Sequence, residues 1–359
     1  MTKDTFEVLH EFYAPAKRNI SNETWDYLMG GAETETTLLR NRMAIDRLVF
    51  RPRVLRDVAN VSTRAKFLGH DLRLPVILAP IGSLQDIVAS GGLAPTRATA
   101  EFGALHMLSS VCKPGLEEVA AANAYPKLFQ LYVRGDAAWV DGMIARAIEH
   151  KYVAVCLTVD LDYYGRRERD IAKRYKPTAR REQSASADPH QSRFSWADIK
   201  RIRKNVKVPL ILKGIATAED AKIAVEHGVE VVYISNHGGR QLDHGKGGLD
   251  VLPEVVDAVR GRAQVIVDGG FFRGADIVKA MALGASAVGI GKLQGLALAA
   301  GGEAGAVRML ELLEDEVRRC LGLLGVTSYA ELDASYVASA PPLPRTGMHS
   351  AFPLLDEGY

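Results

Sequence analysis

Short apolar runs recur along the middle of the chain. Each is followed by a polar or glycine-containing turn, then by a longer segment with helical spacing. The runs are Val76–Ala79, Leu105–Leu108, Leu128–Leu131, Val153–Thr158, Leu210–Leu212, Val231–Ile234, Val265–Val267 and Ala287–Ile290. They are mostly unbroken by polar residues, the pattern of parallel strands buried on both faces. Helical segments such as Asp136–His150, Ala218–His227 and Gly274–Leu283 separate most of them. Every parallel pair needs a crossover, so eight alternations predict an α/β fold of the TIM (β/α)8 barrel type. A doubly wound open sheet is the alternative. It usually has fewer strands and an early glycine-rich phosphate turn, which Ser90-Gly91-Gly92 does not form.

The flanks read differently. Residues 4–46 suggest short helices, with Asn22 capping Glu23–Met29 and Gly30-Gly31 as the stop. Arg51 to Leu72 reads as irregular. Between Asp170 and Ser195 lies a long basic loop after strand four, which is either a lid or a solvated segment. The proline-rich stretch from Ala340 breaks helix and reads as a tail. The expected organisation is one domain over 1–359: a helical cap (1–74), a barrel (about 75–330) and a tail (340–359).

Composition narrows the partners. A balance of 45 basic and 43 acidic residues gives no reason to expect nucleic acid. Cys112, Cys156 and Cys320 form no zinc spacing and no disulfide framework, as in a reducing compartment. The N-terminus lacks an apolar signal core and no apolar tract has membrane length, so a cytoplasmic protein with no membrane partner and no metal is expected.

Residues just after each barrel strand face one mouth. In order they are Pro80-Ile81-Gly82, Ser109-Ser110, Gln130-Leu131-Tyr132, Thr158-Val159-Asp160 with Gly165-Arg166-Arg167 beyond, Lys213-Gly214, Ser235 with His237 and Arg240, Asp268-Gly269-Gly270, and Gly291-Lys292. The His237 imidazole can act as a base, and the Arg240 guanidinium can grip a carboxylate at two points. The last two turns suit an anion such as phosphate, because backbone N–H groups in glycine-rich turns can converge on it. Taken singly, each residue has a structural explanation; together they call for a chemical one.

The run Ser235-Asn236-His237-Gly238-Gly239-Arg240-Gln241-Leu242-Asp243 resembles the FMN-dependent α-hydroxy acid oxidoreductases. Phe129-Gln130-Leu131-Tyr132, Leu157-Thr158-Val159-Asp160, Gly165-Arg166-Arg167, Leu212-Lys213-Gly214 and Asp268-Gly269-Gly270 support it in the same order, over about residues 20 to 330. That family includes glycolate oxidase, lactate oxidase, lactate monooxygenase, mandelate dehydrogenase and 4-hydroxymandelate oxidase. The resemblance implies FMN as cofactor and an (S)-2-hydroxy acid as substrate, oxidised to the 2-keto acid. Oxygen or another acceptor takes the electrons, and a homotetramer is implied. By the same resemblance His237 is the base and Asp160 stabilises its protonated form. Arg167, Arg240 and Tyr27 hold the substrate carboxylate, Tyr132 meets the α-oxygen, and Lys213 lies beside the flavin. Pro80, Ile81, Gly82, Ser109, Gln130, Thr158 and Ser235 contact the ring or ribityl chain. Asp268, Gly269, Gly270, Gly291 and Lys292 line the ribityl and phosphate end.

Some residues depart from the family pattern. Phe272 stands where an arginine usually meets the phosphate, and Lys292 replaces a second arginine, so weaker phosphate binding, or compensation from Arg273 or elsewhere, is expected. Val111 replaces a tryptophan of glycolate oxidases, and Tyr164 a smaller apolar residue. Both point to a larger or aromatic substrate of mandelate type. Gly82, where many oxidases have alanine, leans toward a dehydrogenase or monooxygenase. No haem domain precedes the barrel, so a flavocytochrome is not expected. Two further readings compete: an FMN barrel isomerase, which needs no His–Asp pair, and a non-catalytic flavin-binding protein.

Overall fold

In the computed structural model, residues 6–182, 188–341 and 343–358 are described. The first five residues, the middle of the basic loop (183–187), Pro342 and Tyr359 lie outside them.

Each apolar run forms a strand. Val76–Leu78, Leu105–Ser109, Leu128–Leu131, Ala154–Thr158, Leu210–Ile215, Val231–Ile234, Gln264–Val267 and Ala287–Ile290 pair in parallel, each with the next. The eighth closes on the first, with Val288 opposite Val76 and Ile290 opposite Leu78. Closure buries both faces of every strand, which is why the runs carry no polar alternation. Ile77, Met107, Leu128, Cys156, Ile211, Tyr233 and Ile266 fill the interior, while the outward-facing residues pack against the surrounding helices.

The stretch from Arg51 to Leu72, expected to be irregular, contains a hairpin of Ala65–Phe67 and His70–Leu72. Phe67 and Leu72 join the interior cluster, and the Leu68 amide donates to Gln264 Oε1 at 2.9 Å. Gln264 opens strand seven, so the hairpin plugs the N-terminal end of the barrel. Three-residue strands are too short to show a period. Leu68 and Gly69 form the turn with φ of 48° and 80°, the left-handed pair that tight hairpins favour.

Three other expectations change. The helix Asn22–Met29 is capped by Ser21, whose Oγ accepts from the Thr24 amide, because Asn22 itself already has helical geometry. The basic loop is not structureless: it contains the short helices Glu168–Ala172, Thr178–Arg181 and Asp188–Arg193. Asp86 accepts from the Thr178 hydroxyl (2.5 Å) and amide (2.9 Å), and Gln191 bonds Val133 and Thr158 backbone, which holds the loop over the strand ends. The terminal segment is not a loose tail. Val337–Ser339 pairs with Leu48–Phe50, and Phe352 is buried against Phe272 and His10. Its prolines do break helix, but Phe352 finds an apolar seat far from it in sequence. Among the described residues no helix is long and apolar enough to cross a membrane.

One buried ion pair ties the N-terminal helices to the mouth. Arg42, on the helix Thr36–Asp46, reaches Asp276 at 2.6 Å and donates to the Gly270 carbonyl at 3.1 Å. Asp276 also accepts from the Phe272 and Arg273 amides at 2.9 Å each, so it shapes the turn after strand seven. Burial pushes the Asp276 carboxyl up, but Arg42 and the amides outweigh it and hold it below the ordinary value. The stabilisation is therefore complete above about pH 4 and is lost as pH falls through the lowered folded value. Arg42→Met is expected to cost about 3–5 kcal/mol in urea unfolding at pH 7, because it strands a buried carboxylate. A loss below about 1 kcal/mol would show the pair to be dispensable.

Candidate active site

A cavity of about 790 Å3 opens at the C-terminal ends of the strands. That is within the usual size for a small-molecule site. Of the residues expected at the mouth, Tyr27, Pro80, Ile81, Gly82, Tyr132, Arg167, Lys213, His237, Arg240, Asp268, Gly269, Gly270, Gly291 and Lys292 line it. Ser109, Gln130, Thr158 and Ser235 are buried beside it and bond to the wall or to each other.

His237 Nδ1 lies 2.6 Å from Asp160 Oδ2. The two come from the ends of strands six and four, across strand five. Lys213 and Gly214 were expected after strand five, but the strand continues to Ile215 with a register shift between Lys213 and Ile215. Gly214 takes φ +116°, and a Cβ there would sit 2.5 Å from the Asp160 carboxyl carbon. A glycine is therefore required for Asp160 to pass. His237 itself is left-handed at φ 55°, held by Ser235 Oγ accepting from its amide at 3.1 Å. This strained conformation aims the ring inward. Burial lowers the His237 pKa below its ordinary value; the Asp160 carboxylate opposes that and Lys213 adds to it.

Facing this pair are two guanidinium groups. Arg240 donates to the Tyr27 carbonyl and stacks over the Tyr27 ring at 4.6 Å. Arg167 donates to the Arg240 carbonyl at 3.3 Å and to the Tyr164 hydroxyl at 2.5 Å. Among the described residues neither has a carboxylate within 4 Å, although burial and Arg167 both lower the Arg240 pKa. The buried Asp170 carboxylate acts on both from beyond ion-pairing distance, and two cations crowded together without a paired anion make a site that favours one. Tyr27 donates its hydroxyl to the Gly82 carbonyl at 2.9 Å. Burial raises the Tyr27 and Tyr132 hydroxyls well above the ordinary tyrosine value, so both remain proton donors. Val111 and Tyr164 also line the cavity.

Deeper in, Lys213 Nζ donates to Ser235 Oγ at 3.0 Å and lies 3.9 Å from Asp268. Gln130 donates to Thr158 Oγ1 at 2.8 Å, but its Oε1 is buried without a partner, as is Asp268 Oδ1. Two buried acceptors lacking donors leave room for a ligand rich in N–H and O–H groups. At the far end, Lys292 Nζ donates to the Gly30 carbonyl at 3.2 Å, and burial holds its pKa well down. Arg273 is not brought to the cavity. Its guanidinium pairs with Glu316 and donates to the Ala351 carbonyl, because the helix Lys292–Leu324 presents Glu316 to it.

Sequence reasoning missed three contributors. Arg134, after strand three, and Arg180, on the short helix Thr178–Arg181, line the cavity from segments whose course depends on distant anchors. Thr346 to His349 line its far end, brought there by the burial of Phe352.

Comparisons with known proteins agree with this geometry. A family model described as FMN-dependent dehydrogenase matches residues 16–339. Glycolate oxidase 3 of Arabidopsis thaliana is 38% identical over 347 residues, covering 91% of this chain and 94% of that protein. L-lactate oxidase of a Nostoc species is 36% identical, covering 92% and 97%. A crystal structure of mandelate oxidase with (S)-2-phenylpropionate superposes with a TM-score of 0.86 at 35% identity, covering 94% of this chain and all of that one. A soluble mutant of the membrane-associated (S)-mandelate dehydrogenase from Pseudomonas putida gives 0.87 at 31% identity, covering 93% and 99%.

Asp160→Asn removes the strongest influence that raises the His237 pKa. The imidazole midpoint, followed by NMR, is expected to move to lower pH than in the parent protein. An unchanged or higher midpoint would mean that the two groups are not electrostatically coupled.

Proposed function

The chain belongs to the FMN-dependent dehydrogenase family, and on that premise we propose that its barrel mouth oxidises an (S)-2-hydroxy acid to the 2-keto acid. The observation that carries this reading is the His237–Asp160 pair set across a cavity from two arginines with no carboxylate of their own. FMN, when bound, accepts the two electrons released at the α-carbon. Gln130 Oε1 and Asp268 Oδ1 are unsatisfied acceptors to which an imide N–H and ribityl hydroxyls would donate. Lys213 would supply a positive charge to the bound FMN, and Gly270, Gly291 and Lys292 would hold its phosphate end.

Arg167 and Arg240 hold the substrate carboxylate, each charge-assisted bond contributing about 1.5–3 kcal/mol. That grip turns the α-carbon toward His237. Asp160 occupies Nδ1, so Nε2 is the nitrogen left to accept a substrate proton. The Asp160 carboxylate then stabilises the imidazolium. Tyr132, kept protonated by burial, donates to the α-oxygen. The basic loop is pinned beside this end through Asp86 and Gln191. We propose a homotetramer on the family resemblance, and a cytoplasmic location on the three free cysteines Cys112, Cys156 and Cys320.

An anaerobic spectrum of the holoprotein is expected to lose its flavin bands on addition of an (S)-2-hydroxy acid from a panel of glycolate, lactate, mandelate and longer acids. The names of the oxidase relatives point to oxygen as acceptor, so admitting air should restore the bands. His237→Gln is expected to keep flavin binding and slow reduction by roughly 10²–10⁴. Reduction at the parent rate in that variant would remove His237 from the mechanism.

A further inference from the structure

Tyr233 is fully buried in the barrel interior, and among the described residues its hydroxyl has no aligned hydrogen-bond partner. It stands on strand six, opposite Lys213 of strand five and Ile266 of strand seven. Its ring points inward beneath the mouth, and Lys213 Nζ lies 5.3 Å from the ring centre. The hydroxyl reaches past strand seven to strand eight. There a Cβ at Gly289 would overlap the hydroxyl oxygen and lie 3.0 Å from both Tyr233 Cζ and Asp268 Cβ. Gly289 thus leaves the space that the hydroxyl fills, and that space borders Asp268. Gly289 and Asp268 both line the cavity, so Tyr233 approaches its wall from the barrel side.

Shape alone does not call for a phenol here. Phenylalanine would fill the same interior without a buried hydroxyl, which costs about 1–3 kcal/mol when left unpaired. Buried tyrosine hydroxyls usually have a partner. The acceptor beside this one is Asp268, whose Oδ1 is likewise buried without an aligned donor. Burial, and after it the Asp268 carboxylate, push the Tyr233 pKa well above its ordinary value, so the phenol keeps its proton to donate. A carboxylate oxygen has more than one lone pair. Oδ1 can therefore accept from the phenol on one side and from a ligand hydroxyl on the other. Asp268 Oδ2 faces Lys213 Nζ at 3.9 Å, the long limit of an ion pair. Lys213 makes its shorter bond to Ser235 Oγ, at 3.0 Å. Tyr233, Asp268 and Lys213 form one buried cluster in which a bond to any member alters the others.

We propose that Tyr233 is a positioning residue for the cofactor end of the site: its hydroxyl donates to Asp268 Oδ1, fixes that carboxylate in the cavity wall and draws its charge away from Lys213. This rests on the reading in which Lys213 and Asp268 face the bound FMN. The ammonium group is then less neutralised, and more of its charge acts on the negative charge of a reduced flavin. Gly289 is a condition of the arrangement, because a side chain there displaces the hydroxyl.

Tyr233→Phe keeps the ring and removes only the donor. FMN titrated into the apoprotein, followed by flavin fluorescence, is expected to bind roughly 3- to 10-fold more weakly than in the parent. The midpoint potential of the bound flavin, from anaerobic dye titration, is expected to shift to more negative values. A role in packing alone would lower thermal stability and leave the potential in place. Gly289→Ala reaches the same hydroxyl from strand eight and should shift the potential in the same direction. Asp268→Asn completes a double-mutant cycle: without the carboxylate charge, Tyr233→Phe should move the potential no further. The parent potential in Tyr233→Phe overturns the proposal whatever the affinity, as does a shift of equal size in the Asp268→Asn background. The underlying reading has its own test. If Asp268→Asn alone keeps both the parent affinity and the parent potential, Asp268 does not face the cofactor, and the proposal falls with that reading.

Discussion

The hydrogen bond from His237 to Asp160 spans strand five, and the rest of the mouth is arranged around that span. In a closed barrel, side chains from strands four and six meet only over the strand between them. Strand five allows this by shifting register at Lys213–Ile215 and by having no side chain at Gly214, where a Cβ would sit 2.5 Å from the Asp160 carboxyl carbon. The same shift directs Lys213 toward Ser235 and Asp268, deeper in the cavity. A single irregularity in a regular barrel therefore sets both the acid–base pair and the buried cation.

Charge is the second organising constraint. Lys213, Arg167, Arg240, Lys292 and Arg134 surround one cavity, and burial lowers the pKa of Arg240, Lys292 and Arg134. Such an arrangement carries electrostatic strain that anionic ligands relieve. The fold tolerates it because the strain is at the open end. The opposite end is plugged by Phe67 and Leu72 and packed with apolar side chains.

Much of this was legible in the sequence, for physical reasons that also explain the gaps. Buried parallel strands need continuous apolar runs, so Val231–Ile234 and Ala287–Ile290 stand out without any partner information. Strand ends in a barrel share one face, which let the motif residues be grouped before their distances were known. The plug hairpin was hidden because three residues cannot display a period. The bulge at Gly214 was hidden because it depends on Asp160, from another strand. Arg134 and Arg180 carry no local signal: an arginine in a loop gains meaning only from what anchors the loop, here Asp86 and Gln191. Arg273 misled for the same reason, since Glu316 lies on a helix that follows the barrel.

The terminal segment reaches the far end of the cavity because Phe352 packs on Phe272, ring centres 5.5 Å apart. An arginine at 272 could not keep that stacking without burying its charge in an apolar seat. The two rings therefore act as one fastening: the residue at 272 decides whether the C-terminal segment docks, and with it whether Thr346 to His349 reach the far end of the cavity.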